Sequence, residues 1–396
     1  MLSLDKVFNA QTVLKSIIRE TDMVRAYGIA PDCELYLKPE NLQITGSFKV
    51  RGSAYKIAML SDEEKAKGVI ACSAGNHAQG VALAATKNGI KSLICLPDSA
   101  PISKVEATKG FGADVCLVEG CYDDAYQRAL ELKESEGYTF VHPFDDENVI
   151  AGQGTIALEI LGELDDIDAV VVPIGGGGLI SGIAYTVKQI RPSVKVYGVQ
   201  VAGAPSMYNS INNGEIECLS SVSTIADGIA VKKPGDNTYA LVKEYVDEIA
   251  LVSDDEVASA ILALVEKQKM IAEGAGATAV AAVMFNKFDL KGKRVAAVVS
   301  GGNIDVTSLS RVIDRGLRNS GRSSSLLIEL IDKPGQLKEI SRIIADCGGN
   351  VTGVHYEKGN TESVNGCFLR IEMETRDYMH VNLITRTLRD EGFKLV

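Results

Sequence analysis

The sequence predicts an α/β protein: two parallel-sheet α/β domains followed by a smaller domain of a different pattern. Three observations carry this. Short β-branched runs alternate with helical stretches along most of the chain. Several of those runs are apolar without alternation, as in strands buried on both faces. Past a polar, turn-rich stretch near Arg318 the order of elements changes to βαββαβ.

In chain order, Val69–Ser73 reads as a buried strand and Ala78–Lys87 as a helix. Ser92–Leu96 and Ala113–Val118 read as strands, and Ile102–Lys109 and Tyr122–Glu136 as helices. Asp168–Ile174, Val196–Gln200 and Val295–Val299 are the apolar, β-branched runs expected at the centre of a covered sheet. Arg318–Ser324 is expected to be a linker. After it come a strand (Ser325–Ile331), an amphipathic helix (Gln336–Cys347) with Leu337, Ile340, Ile343 and Ile344 on one face, and two strands (Val351–Tyr356, Cys367–Met373). A second helix (Arg376–Glu391) and a last strand (Phe393–Val396) complete a ferredoxin-like order.

Composition narrows the function. With 396 residues, 46% hydrophobic and 23% charged, the chain is long enough for two or three domains with sizeable cores. A formal net charge of −11 disfavours nucleic acid and anionic membrane as partners. There is no apolar run of membrane-spanning length, and the N-terminus lacks a signal-peptide pattern. The eight cysteines are scattered without a CxxC pair, as expected of reduced thiols in a cytoplasmic protein, and no metal site is expected.

Five segments carry candidate chemistry. In Ser47-Phe48-Lys49-Val50-Arg51-Gly52 a lysine sits between an aromatic and a small apolar residue, with turn-forming Gly46 upstream and Gly52 just beyond. A desolvated amine has a lowered pKa and can attack a carbonyl. Taken alone, the same residues also fit a surface lysine. Ser73-Ala74-Gly75-Asn76-His77 lies between a strand and a helix, where unpaired backbone N–H groups favour an anion; a plain βα turn fits it equally. Gly175-Gly176-Gly177-Gly178-Leu179 opens the helix Ile180–Ile190, and its spacing matches neither the dinucleotide fingerprint nor the P-loop, so one phosphate of a smaller cofactor is the better ligand. Ser300-Gly301-Gly302-Asn303 ends a strand, which puts a neutral hydroxyl at the carboxyl edge of a sheet, although by itself an ordinary strand-ending turn fits these residues better. Glu273 starts a helix of small residues and is either a helix-start charge or a site residue.

In this order the segments resemble the fold-type II pyridoxal-phosphate enzymes (tryptophan synthase β-like), and within them the threonine/serine dehydratases, over roughly residues 1–318. Residues 325–396, with Asp332-Lys333-Pro334-Gly335-Gln336-Leu337 after their first strand, resemble an ACT domain. The resemblance implies a catalytic region 1–318 with a small subdomain inserted at about 52–148, a linker 319–324 and a regulatory ACT domain 325–396. It implies that Lys49 holds pyridoxal phosphate and acts as the base, and that Gly175, Gly176, Gly177, Gly178 and Leu179 bind the phosphate. Asn76 is then the partner of the ring hydroxyl and Ser300 of the ring nitrogen. Ser73, Ala74, Gly75, Asn76 and His77 receive the substrate carboxylate, with Glu273 near the ring or substrate. Gly335 and Asn350 mark an amino-acid effector site.

The implied activity is α,β-elimination of ammonia from L-threonine to give 2-oxobutanoate, and from L-serine to give pyruvate. It comes with allosteric control by a small amino acid such as isoleucine or valine, in a homo-oligomer, dimer or tetramer. Serine racemisation and hydroxyaspartate elimination are alternatives on the same scaffold, and a non-catalytic amino-acid sensor is an alternative of another class. Related racemases carry a second serine before the Gly-Asn pair, where this chain has Ala74. Relatives with a divalent-cation site carry acidic residues where this chain has Gln200 and then Val201-Ala202-Gly203-Ala204-Pro205-Ser206.

Overall fold

Strands buried on both faces organise the larger part of the chain in a computed structural model that describes residues 2–357 and 366–396. The chain divides into two units, Met1–Leu309 and Ser310–Val396. The division falls nine residues before the expected boundary at 318, and two of the six expected linker residues, Ser323 and Ser324, already belong to a strand.

In the first unit β1 (Val24–Arg25) and β2 (Glu34–Pro39) are followed by β3 (Val69–Cys72), β4 (Ser92–Pro97), β5 (Asp114–Val118) and β6 (Thr139–Phe140). Then come β7 (Ala169–Pro173), β8 (Lys195–Val201), β9 (Glu248–Val252) and β10 (Arg294–Val299). They form a six-stranded sheet of order β1-β2-β10-β7-β8-β9 and a four-stranded sheet of order β5-β4-β3-β6. Apart from the β1–β2 pair, every pairing in these sheets is parallel. Every residue of β3 and β7 is buried, which is why both read as unbroken apolar runs. β10 lies between β2 and β7, so the chain leaving β7 towards Gly175 and the chain leaving β10 at Ser300 emerge side by side at one sheet edge.

Three helix starts differ from the sequence reading; the helix expected at Arg376 begins at Tyr378, and the other two lie beside glycines. The helix expected at Ala78 begins at Asn76, and the one expected at Ile180 begins at Gly178. In both cases glycines next to the start mask it, because glycine is a poor helix former. The larger correction concerns Gly52. It is not a turn residue but lies inside the helix Lys49–Ala58. A Cβ there would come within 2.4 Å of the Gln153 amide and 2.8 Å of the Val149 carbonyl, and a Cβ on Gly152 would meet Gly52 Cα at 2.7 Å. The helices Lys49–Ala58 and Glu147–Glu163 therefore touch backbone to backbone.

That contact is locked by a buried ionic cluster. The Arg51 guanidinium is fully buried and meets Glu40 twice, Nε and Nη2 each at 2.8 Å. It meets Glu159 at 2.5 and 2.8 Å and Thr155 Oγ1 at 3.1 Å. Lys38 Nζ reaches Glu159 at 2.6 Å and also donates to the Thr21 carbonyl, while Thr21 Oγ1 donates to Glu40 at 2.7 Å. Burial disfavours the Glu40 carboxylate, but Arg51 outweighs it and holds the carboxyl below its usual range.

The second unit contains β11 (Ser323–Ile331), β12 (Asn350–Glu357), β13 (Gly366–Glu374) and β14 (Lys394–Leu395) in an antiparallel sheet of order β12-β13-β11-β14. With the helices Gln336–Asp346 and Tyr378–Asp390 the order is βαββαβ, as expected. Ile340, Ile343 and Ile344 pack on Ile328, Leu369 and Ile371. Leu337, expected on the same face, lies in the first helical turn and is 45% exposed instead.

Substituting Arg51→Met strips the buried Glu40 carboxylate of its guanidinium partner and leaves Glu159 with Lys38 alone. The expected cost is about 3–5 kcal/mol, measured as the loss of unfolding free energy in denaturant. The loss should be larger near pH 7 than below the Glu40 range, because protonation removes the stranded charge.

Candidate active site

The carboxyl edges of β3, β7 and β10 open on one cavity of about 1150 Å³, lined among others by Lys49, Asn76, Gly176, Glu273 and Ser300. Every residue expected in the cofactor and substrate set lines it: Lys49, Ser73, Ala74, Gly75, Asn76, His77, Gly175, Gly176, Gly177, Gly178, Leu179, Glu273 and Ser300. The expected effector residues lie in the other unit. Gly335 precedes the helix Gln336–Asp346 with φ +95° and open space around it, and Asn350 begins β12 with its amide donated to Glu374 at 2.9 Å.

Lys49 is the first residue of its helix. Its Nζ donates to the Pro143 carbonyl at 2.9 Å and lies 5.3 Å from the centre of the Phe48 ring. The side chain keeps some surface towards the cavity, yet the protein around the amine desolvates it. This lowers its pKa to about 8, against an opposing pull from Glu273.

Glu273 precedes the helix Gly274–Met284 and is buried. Desolvation, then Asp227, raises its carboxyl to about 7, while the hydrogen bond from Asn76 Nδ2 at 2.6 Å pulls the other way. A base lowered and an acid raised thus approach neutrality from opposite sides within one cavity.

The glycine loop is a cradle that side chains would fill. The amides of Gly175, Gly176 and Gly177 donate to no protein acceptor, and Gly177 has φ +100°. A Cβ on Gly176 would lie 2.5 Å from the Phe144 ring, and one on Gly177 would lie 2.7 Å from Thr238. Thr238 secures the loop by donating its hydroxyl to the Gly176 carbonyl at 2.6 Å. Free amides on a glycine wall at a helix start suit a phosphate. The amides of Asn76 and His77 are equally unpaired at the start of the helix Asn76–Lys87. The His77 imidazole is not available to a ligand in the same way. Its Nε2 donates to the Val141 carbonyl at 2.8 Å and its Nδ1 faces Ser53 Oγ at 3.4 Å. Desolvation, then Lys49, pushes it down to about 3, so it is neutral. Ser300 is buried, with Oγ 3.3 Å from the Ala275 carbonyl.

Sequence reasoning missed the His142-Pro143-Phe144-Asp145 turn. It supplies the Lys49 acceptor, the ring against the glycine loop and, through Asp145, an acceptor for the Thr238 amide at 3.0 Å. Its only sequence signal is an aromatic and an Asp after a short strand. Among the described residues no cluster of His, Cys, Asp and Glu could hold a metal ion, and no helix is long and apolar enough to cross a membrane.

Comparison with known proteins agrees with this geometry. Residues 14–301 match the family described as pyridoxal-phosphate dependent enzyme. The chain belongs to that family, and pyridoxal phosphate is its cofactor. It is 49% identical over 398 residues to an L-threonine ammonia-lyase of Thermotoga maritima, covering 100% of this chain and 99% of the relative. Among solved structures it resembles the processed form of threonine deaminase isoform 2 of Solanum lycopersicum, at 38% identity and TM-score 0.75 over 79% of this chain and 89% of that one. It also resembles maize serine racemase, at 34% identity and TM-score 0.75 over 80% of this chain and 98% of that one.

The lowered Lys49 pKa has a direct kinetic consequence. Only the neutral amine attacks an aldehyde, so capture of pyridoxal phosphate by the cofactor-free protein should accelerate as pH rises through about 8 and level off above it. Stopped-flow absorbance of cofactor binding measures this. A rate still climbing towards the ordinary lysine range would place the amine in water.

Proposed function

We propose that this chain is an ammonia-lyase that converts L-threonine to 2-oxobutanoate and ammonia, and L-serine to pyruvate and ammonia. The observation that carries this reading is one amine base, Lys49, facing a cavity in which position 74 of the opposing loop is alanine. End-to-end likeness to the Thermotoga protein supports it.

In this reading the glycine loop 175–179 binds the cofactor phosphate, Lys49 forms the covalent link, Asn76 contacts the ring hydroxyl and Ser300 the ring nitrogen. When bound, pyridoxal phosphate supplies an electron sink for the charge left as the α-proton departs. The backbone amides of the 73–77 loop orient the substrate carboxylate. The Lys49 amine takes the α-proton, and its lowered pKa keeps a useful fraction neutral near pH 7–8. Loss of that proton and the β-hydroxyl removes water, and water returns when the product hydrolyses to keto acid and ammonia. Ala74 offers no ionisable group, so this position cannot return a proton on the opposite face. That favours elimination over racemisation.

Keto acid measured from threonine and from serine, with chiral analysis of the recovered serine, tests the reading. Keto acid without D-serine is expected; D-serine without keto acid would overturn it in favour of racemisation. Lys49→Ala should lose roughly a thousandfold or more of the turnover while keeping the wild-type circular dichroism.

Regulation belongs to the same proposal. Residues 1–318 act as the catalytic region, joined through 319–324 to an ACT-type sensor, 325–396, in a homo-oligomer. The βαββαβ order and the open, left-handed Gly335 support amino-acid sensing near Gly335 and Asn350. Threonine saturation curves recorded with isoleucine or valine should shift for the wild type and not for Gly335→Ala, whose Cβ is strained at φ +95°. Identical curves with and without either amino acid would remove them as effectors.

A further inference from the structure

Asn303 joins three segments that the sequence keeps far apart. Its Nδ2 donates to the Thr45 carbonyl at 2.7 Å and to Asn76 Oδ1 at 2.7 Å, with Gln79 Oε1 further off at 3.4 Å. Thr45 lies four residues before Lys49, and Asn76 is the residue whose other end meets Glu273.

We infer that Asn303 is a positioning residue: it fixes the Asn76 amide with its oxygen turned away and its Nδ2 presented to the cofactor ring hydroxyl and to Glu273. The inference rests on the cofactor placement proposed above. The chemistry of the partners fixes the sense of the chain. A backbone carbonyl only accepts, so the Asn303 group facing Thr45 is Nδ2. The second hydrogen of that Nδ2 goes to Asn76, so the Asn76 atom facing it is Oδ1. Asn76 Nδ2 therefore points the other way. One of its hydrogens goes to Glu273 and one is left for a ring oxygen. Because the Thr45 end never donates, this sense survives when Glu273 takes up a proton.

The backbone is shaped to admit Asn303. Gly46 has φ +69°, and a Cβ there would lie 2.2 Å from Asn303 Oδ1. The amide of Gly302 donates to the Gly46 carbonyl at 2.9 Å, and the amide of Phe48 to the Ser300 carbonyl at 3.1 Å. The Lys49 loop and the strand-end loop are thus stitched together at the point where Asn303 reaches across to Asn76.

The test compares wild type, Asn303→Leu, Asn76→Ala and the double variant, each loaded with pyridoxal phosphate. The readout is the ratio of the two tautomeric absorbance bands of the bound cofactor, which reports hydrogen bonding to its ring hydroxyl. Borohydride trapping should still fix the cofactor on Lys49 in Asn303→Leu, because the amine and the glycine loop are untouched. The band ratio should shift towards that of Asn76→Ala, and kcat for threonine should fall about tenfold. In the Asn76→Ala background the Asn303 substitution should add nothing, as required of a residue that acts through Asn76. An unchanged ratio in Asn303→Leu, or an equal shift in the Asn76→Ala background, overturns the inference. If the leucine variant fails to fold, Asn303→Ala, which loses the same two donors, carries the same readout. Failure to trap cofactor on Lys49 in the wild type would instead strike the proposed function, and this inference with it.

Discussion

Arg51 is the residue on which the rest of the first unit depends. It sits two positions after Lys49 on the same helix, so whatever fixes Arg51 also fixes the position of the Lys49 amine. Two carboxylates hold it from opposite directions: Glu40 just past the end of β2, and Glu159 on the helix Glu147–Glu163. A buried guanidinium is costly unless each donor finds an acceptor, and here Glu40, Glu159 and Thr155 supply the acceptors. Lys38 adds a second cation, which meets Glu159 at 2.6 Å and the partly exposed Glu163 at 3.7 Å. Hydrophobic residues in its place would pack as well but would leave the helix free to slide. The ionic cluster, with its fixed fork geometry, leaves one register.

The electrostatics of the cavity follow from that rigidity. Desolvation lowers the Lys49 amine to about 8 and raises the Glu273 carboxyl to about 7, and each is held there by fixed surroundings rather than by water. Were the helix loose, water would reach the amine and restore its ordinary value. The same desolvation keeps His77 neutral, which removes a competing cation from beside Lys49. An amine that is neutral part of the time can act both as a nucleophile towards an aldehyde and as a base, so one environment suits the two roles proposed for Lys49.

Much of this was legible in the sequence, and what escaped it has physical causes. Central strands such as Val295–Val299 declare themselves because burial on both faces demands unbroken apolar runs. The Lys49, Asn76, glycine-loop and Ser300 segments stand out because each departs from ordinary strand or helix chemistry, and all of them line one cavity. Gly52 misled because a glycine needed for helix contact looks the same as a glycine needed for a turn. The partners of Arg51 could not be read, since Glu40 and Glu159 are ordinary glutamates until the fold brings them to it. Thr238, Pro143 and Asn303 act through single polar atoms whose meaning exists only in three dimensions.

The rim of the cavity is built on the opposite principle from its base. Lys104 meets Asp227 at 2.8 Å and Lys232 meets Asp123 at 3.5 Å, each pair joining a residue from the small-sheet side to one from the large-sheet side. These pairs are largely open to solvent, so each is worth roughly 0–1 kcal/mol, far less than the buried cluster below. The two pairs therefore add little to the stability of the site, whose geometry rests on the buried cluster below. The rim is also not electrically separate from the base. Asp227 raises the Glu273 pKa and Lys104 opposes it more weakly.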